Sequence, residues 1–249
     1  MNSTVGLCRY SVNLDDGGSY QASKGQRWLW RNWIDFWDSV PKGEVWTVLN
    51  GDLVDVNGKH KSSQVISLNE TDVMKMTVDV LEPVLDKSDR VFVVRGTAAH
   101  TGLSGNIEEK IALDIGAEKC GDNYSWWELL LDCDGVKFYI THHGPLGRLR
   151  HTHGNALNRR AVEIEDLFAG RGVPQVTIQS HNHHFSTSSD EYKTKVYALP
   201  SWQLKTDFAK RIGIIEQDIV GGVWFNCDGG EYRDNVKRYE MPGQGAWKP

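Results

Sequence analysis

The sequence is poor in cysteine, in proline and in long apolar runs. Its four cysteines are widely scattered and form no C-x-x-C pair, which argues against a disulfide framework and a thiolate zinc site. Seven prolines and 25 glycines in 249 residues exclude a collagen-like or low-complexity chain. The longest apolar runs, such as Val91–Val94 and Trp126–Leu131, are far shorter than the roughly 20 residues that cross a bilayer. Because the first residues also lack a signal-peptide pattern, we predict a cytoplasmic protein without a membrane segment.

Basic charge is not in excess either. The chain has 28 Lys plus Arg against 33 Asp plus Glu, a formal net charge of -5. This balance argues against sequence-independent binding of nucleic acid through bulk charge, although a local basic patch could still bind it. No Pro/Gly/Ser-rich linker divides the chain, so we predict one domain over residues 1–249.

Short β-branched runs that end in polar segments alternate with helical patterns. The predicted strands are Val45–Leu49, Arg90–Val94, Val136–Ile140 and Gln175–Gln179, with further strands at Lys195–Leu199 and Gly222–Phe225. Apolar residues at helical spacing predict helices over 23–40, after a Thr71 cap, around Ile107–Ile115 and over Leu157–Phe168. The first of these helices carries four of the ten tryptophans, which we interpret as core or as an interface. The alternation predicts an α/β fold.

The polar segments after four of these strands contain residues that bind metals. They are Asp52, His100, the pair His142 and His143, and the pair His181 and His183. Ligands bind at the carboxyl ends of strands in α/β sheets, so we expect these side chains to share one rim of one sheet. Imidazole and carboxylate together suit Zn, Mn, Fe or Ni. Alternate residues of an extended chain lie on one side, so His181 and His183 can reach the same centre.

The order of these motifs resembles that of the calcineurin-like metallophosphoesterases. The chain has G-D-x-x-D at 51–55, a Gly-plus-His loop at 96–100, His-Gly at 143–144 and H-x-H at 181–183. Three N-terminal segments resemble those of superfamily members carried by phages and prophages. They are the stretch Ser3–Leu7, the turn Leu14–Gly18 and the helix Gln26–Trp37. The resemblance implies a four-layer α/β/β/α sandwich.

The resemblance also implies roles for the individual residues. Asp52 would bridge two metal ions, His181 with His142 or His143 would hold one ion, and His183 would bind the other. His100 would protonate the leaving group. Asp55 is as readily a solvated loop residue or a supporting partner.

Three features depart from the family pattern. Gly96 is followed by Thr97 instead of the metal-binding Asn, and Ser180 stands where the last motif normally starts with Gly. The opening D-x-H motif occurs nowhere in the sequence. We expect a strand with this motif to be encoded ahead of Met1, and the sandwich to lack that first strand here. The remaining ligands predict one firmly bound ion, where an intact relative would hold two.

Two functions from different classes remain open. The first is a hydrolase that splits a phosphate ester, as a phosphodiesterase or nuclease does, through metal-activated water. Arg148 and Arg150 would then bind substrate phosphate, unless they belong to a solvated loop and helix face. The second is a silent relative that binds a nucleotide, nucleic acid or protein partner. An edge left by the missing strand predicts a homo-oligomer in either case.

Overall fold

The computed structural model describes residues 1–56, 64–102, 105–147, 149–211 and 219–243. The strands are β1 Ser11–Asn13, β2 Ser19–Gln21, β3 Trp46–Asn50, β4 Arg90–Val94, β5 Ser125–Trp126, β6 Glu128–Cys133, β7 Val136–Thr141, β8 Val176–Gln179, β9 Ser186–Thr187, β10 Lys195–Ala198, β11 Ile219–Asp228 and β12 Glu231–Glu240. The helices are α1 Lys24–Ser39, α2 Glu70–Leu85, α3 Ala98–Thr101, α4 Asn106–Asp114, α5 His153–Leu167 and α6 Asp207–Arg211. No helix in these ranges has the length and apolar character needed to span a membrane.

Strands β3, β4 and β5 form a parallel three-stranded sheet. Alternate side chains of β4 enter two different cores, as the pleat of a strand requires. Val91 and Val93 pack with apolar residues of α1, α2 and α4, whereas Phe92 and Val94 pack with the second sheet. The parallel strand is therefore apolar on both faces, which explains its uninterrupted hydrophobic run.

The second sheet has the strand order β6-β7-β8-β10-β9. Phe138, Ile140 and Ile178 face the first sheet. On the other side, Leu157 and Ala161 of α5 pack against β10. Helices, sheet, sheet and helix thus follow one another, and the predicted mixed α/β fold with four layers is confirmed.

The predicted arrangement of the strands needs correction. β3 and β4 lie in one sheet and β7 and β8 in the other, so the prediction of one rim of one sheet is wrong. Apolar runs show that strands are buried but not which strands pair. The strand ends nevertheless meet, because Asn50 Nδ2 donates to the carbonyl of Thr141 at 3.1 Å and to Ser180 Oγ at 2.8 Å.

The helix boundaries agree closely with the prediction, with one exception. Ser23 caps α1, and Gln26 returns the hydrogen bond to the Ser23 backbone, which forms a capping box. α2 is capped by Asn69, whose side chain accepts from the Thr71 N–H at 2.8 Å, so the Thr71 cap was wrong. Both residues are good caps, and the chain direction before the helix decides between them.

The Trp-rich helix lies in the core. Leu29, Trp33 and Phe36 are buried, and Trp33 makes edge contacts with Trp37 and Trp202 at 5.5 and 4.9 Å between ring centroids. This confirms the core interpretation. The hairpin β11–β12 covers one side of both cores, through Val220 in the first and Phe225 against the second.

A cavity of about 940 Å³ runs along the free edge of β3. Val45 accepts from Arg90 on the β4 side, so Trp46 and Val48 point their backbone groups to the other side. Within the described residues, these groups have no hydrogen-bond partner. The cavity extends from this edge to Asp52.

Candidate metal centre

Asp52 lies at the end of β3 on a tight loop. Its φ of 54° and that of 76° at Gly51 are both left-handed. A Cβ on Gly51 would come within 2.4 Å of His142 Nδ1, and a Cβ on Gly96 within 2.2 Å of the Asp52 backbone nitrogen. Glycine at both positions lets the loops and the imidazole approach closely.

The Asp52 carboxylate is largely buried and makes four polar contacts, two of them with Thr97. Oδ1 accepts from the backbone N–H of Thr97 at 2.6 Å and from its hydroxyl at 3.0 Å. Oδ2 lies 2.9 Å from His142 Nε2 and 3.6 Å from His181 Nδ1. Burial opposes ionisation, but the two imidazoles and the Thr97 N–H lower the pKa of Asp52 far below its ordinary value.

His142 is buried at the end of β7 and oriented by the main chain. Its Nδ1 donates to the carbonyl of Asn50 at 2.7 Å, which leaves Nε2 directed at Asp52. Metal-binding histidines have this arrangement, because a backbone acceptor fixes the tautomer and the ring direction. Burial opposes protonation of His142, but the adjacent Asp52 raises its pKa. The structure therefore distinguishes the two neighbouring histidines: His142 contacts Asp52, whereas His143 is exposed.

Three histidines converge beside Asp52. One ring nitrogen from each of His142, His143 and His181 lies within 4.8 Å of the others. The ring centroids of His143 and His181 are 4.8 Å apart, and burial lowers the pKa of His143, as do the neighbouring histidines. Both rings remain accessible to solvent. This cluster joins residues from the ends of β7 and β8.

His183 and His100 line the same cavity as Asp52. His183 has a left-handed φ of 59°, and burial lowers the pKa of its imidazole to about 4. His100, on the short α3, has its Nδ1 3.8 Å from Asp55 Oδ1, and this carboxylate raises the pKa of His100. Asp55 is therefore a supporting partner of His100.

The side chains of the two predicted phosphate-binding arginines lie outside the described structure. Arg148 lies outside the described residues. Arg150 begins a short 3-10 turn, Arg150–Thr152, and its side chain is likewise outside the description. The role of both residues remains a sequence prediction.

Three residues that support the site were missed as such from the sequence. Asn50 orients His142 through its carbonyl, and Thr97 binds Asp52 where the family pattern has a ligand. Glu108 accepts from the backbone of both site loops and is completely buried. A signal for Glu108 was present, because it falls on the apolar face of α4 between Ile107 and Ile111.

The chain has distant structural neighbours. It resembles a structure described as a novel archaeal phosphodiesterase, with 15% identity, a TM-score of 0.37 and coverage of 64% of this chain and 76% of that one. It also resembles Chaetomium thermophilum Vps29, with 11% identity, a TM-score of 0.42 and coverage of 84% and 89%. A hypothetical protein from Thermus thermophilus has 11% identity and a TM-score of 0.42, with 88% and 96% covered.

Neither a protein-family model nor a curated protein matches the sequence.

Proposed function

We propose that the protein is a metal-dependent phosphoesterase whose ion binds between Asp52, His142 and His181, with His143 beside them. The observation that carries the proposal is the contact between His142 Nε2 and Asp52 Oδ2 at 2.9 Å. Because Nδ1 donates to the Asn50 carbonyl, the Nε2 of a neutral ring is an acceptor that faces a carboxylate oxygen. Such a pair needs a cation between its atoms, either a proton or a metal ion.

The distances in the site fit a metal ion. Ligand atoms about 2.0–2.2 Å from an ion lie about 2.9–3.6 Å from one another at ordinary coordination angles. The separations from Asp52 Oδ2 to His142 Nε2 and His181 Nδ1 are 2.9 and 3.6 Å. Nitrogen and carboxylate donors favour Mn, Fe, Ni or Zn.

The arrangement supports one firmly held ion. Asp52 Oδ2 faces the histidines, whereas Oδ1 is occupied by the two hydrogen bonds from Thr97. A second ion would have His183 as a ligand, together with any lone pair of Asp52 that the first ion and Thr97 leave unused. Ligand number sets metal affinity, so this second position would be weak.

A bound ion would act as a Lewis acid toward a phosphoryl oxygen and would lower the pKa of a water molecule. The chain's own residues would orient the reacting groups. Asp55, 3.8 Å from His100, would keep it available as a proton donor, and His100 lines the same cavity as His142 and His181. His100 would then act as the general acid for a departing oxygen.

The alternative function is that of a binding protein without turnover. It is favoured by Thr97, which donates two hydrogen bonds to one oxygen of Asp52 instead of adding a ligand. Its partner would be a nucleotide, a nucleic acid or a protein.

Hydrolysis of bis(p-nitrophenyl) phosphate with Mn²⁺ or Ni²⁺ tests the proposal. We expect turnover that requires the metal and is lost in His181→Ala, while His151→Ala, outside the site, serves as the control. Bound metal without turnover by any divalent ion between pH 5 and 9 would favour the binding protein. Single-stranded DNA, duplex DNA, cyclic nucleotides and phosphopeptides then serve to identify the substrate.

A further inference from the structure

One buried carboxylate connects two of the loops at the candidate site, those that follow β3 and β4. Glu108 lies on α4 and has no accessible surface. Its Oε1 accepts from the backbone N–H of Leu53 at 3.0 Å, and its Oε2 accepts from that of Gly96 at 2.6 Å. Leu53 follows Asp52, and Gly96 precedes Thr97. The two hydrogen bonds of Glu108 are therefore made one residue away from Asp52 and one residue away from Thr97, which binds Asp52.

These hydrogen bonds fix the position of the Asp52 carboxylate. The loop turns through a left-handed φ of 54° at Asp52, a conformation that a non-glycine residue adopts at a cost. The Leu53 bond holds the chain immediately after this turn. The Gly96 bond holds the start of the segment whose Thr97 N–H donates to Asp52 Oδ1 at 2.6 Å. Moving either loop would shift Asp52 relative to His142.

We infer that Glu108 is a positioning residue that sets the orientation of Asp52 for metal binding. The inference rests on the metal site proposed above. A carboxyl group has two oxygens and offers an acceptor to each N–H at once. Glutamine would offer one oxygen and turn an NH₂ group toward the other N–H, so one loop would lose its attachment.

The test compares Glu108→Gln with Asp114→Asn, an exposed carboxylate on the same helix. Mn²⁺ binding is measured by calorimetry, and the Thr97 amide proton is followed by NMR in metal-free protein. We expect about a 10- to 100-fold loss of Mn²⁺ affinity in Glu108→Gln, as for other residues that orient metal ligands. The Thr97 amide should shift, since its bond to Asp52 changes. Asp114→Asn should match the wild type in both measurements.

Wild-type Mn²⁺ affinity and an unchanged Thr97 amide in Glu108→Gln would overturn the inference. If the wild-type protein binds no Mn²⁺, the proposed metal site fails, but the NMR arm still tests whether Glu108 positions Asp52. Should Glu108→Gln not fold, Glu108→Asp replaces it, because its shorter carboxylate cannot reach both N–H groups. If neither variant folds, Glu108 has a general structural role and the positioning role is overturned.

Discussion

Neighbouring residues with the same chemistry have different positions in the candidate site. His142 is 3% exposed and lies against Asp52, whereas His143 is exposed at the rim of the cluster. Both are at the end of β7, where the strand changes from extended chain to loop. The backbone carbonyl of Asn50 selects His142, because it is the acceptor that fixes one ring nitrogen.

This difference predicts unequal effects of two alanine variants. His142→Ala should reduce Mn²⁺ affinity by at least about tenfold, because it removes a ligand and leaves Asp52 buried without that neighbour. His143→Ala should have a smaller effect, since its ring is solvated. Calorimetric titration of both variants checks the order. Equal losses would show that both histidines bind the ion.

Glu108 predicts a pH dependence of stability. Burial raises its pKa from an ordinary 4.5 to about 7, despite the backbone N–H groups that it accepts from. The unfolded chain ionises first, so this residue's contribution is fully present below about pH 4.5 and is lost as the pH rises through 7. The loss amounts to at most about 3.5 kcal/mol at roughly 1.4 kcal/mol per pKa unit.

Urea unfolding of metal-free wild type and Glu108→Gln at pH 5 and pH 8 measures this loss. Glutamine does not titrate, so the difference between the two proteins removes the contribution of the histidines. We expect wild type to lose stability relative to Glu108→Gln at the higher pH. A difference that does not change with pH would contradict the prediction.

At the scale of elements, helix starts depend on local side chains as well as on the core. α2 begins after Asn69, and its first turn carries Glu70 and Asp72 at the positive end of the helix dipole. Thr71 is exposed within that turn. The side chain that caps the helix is therefore Asn69, two residues before the position that the sequence suggested.

Two alanine variants separate these alternatives. Asn69→Ala should lower the free energy of unfolding by about 1 kcal/mol, because it removes the hydrogen bond to the Thr71 N–H. Thr71→Ala should change it by less than about 0.5 kcal/mol, since alanine is a good helix former and the side chain is exposed. Denaturant unfolding gives both values. The reverse order would show that Thr71 is the cap.

At the scale of the whole molecule, the free edge of β3 faces the cavity that leads to the site. An edge with unpaired backbone groups is a surface on which another strand can add. The surroundings are apolar, with Trp37 on one side and Phe138 on the other. This agrees with the predicted homo-oligomer, which remains a prediction.

We expect light scattering to show concentration-dependent self-association that Val48→Pro abolishes. Proline removes the N–H that points away from β4, so it blocks the edge without breaking the ladder to β4. Circular dichroism should show that the variant is folded, whereas Thr47→Pro should unfold the protein by breaking that ladder. A wild-type protein that stays monomeric at high concentration would contradict the prediction.

Short stretches of the sequence encode the local features of this protein. Strand ends at Asn50, Val94, Thr141 and Gln179 lie within about a residue of the prediction, because apolar runs and turn residues act locally. The helix starting after Ser23 was predicted for the same reason. The expectation that Asp52 and the histidines lie close together came from the strand ends and the order of the motifs, and Asp52 does lie beside His142 and His181.

Contacts between these residues depend on how distant segments of the chain pack together. Sheet membership depends on pairing between distant segments, which periodicity does not encode, so the one-sheet prediction was wrong although the strand ends meet. The choice of His142 over His143 depends on the Asn50 carbonyl, 92 positions away in the chain. Glu108 also depends on tertiary packing. Its place on the apolar face of α4 is visible in the sequence, but its contacts with Leu53 and Gly96 form only when the helix packs against the sheets.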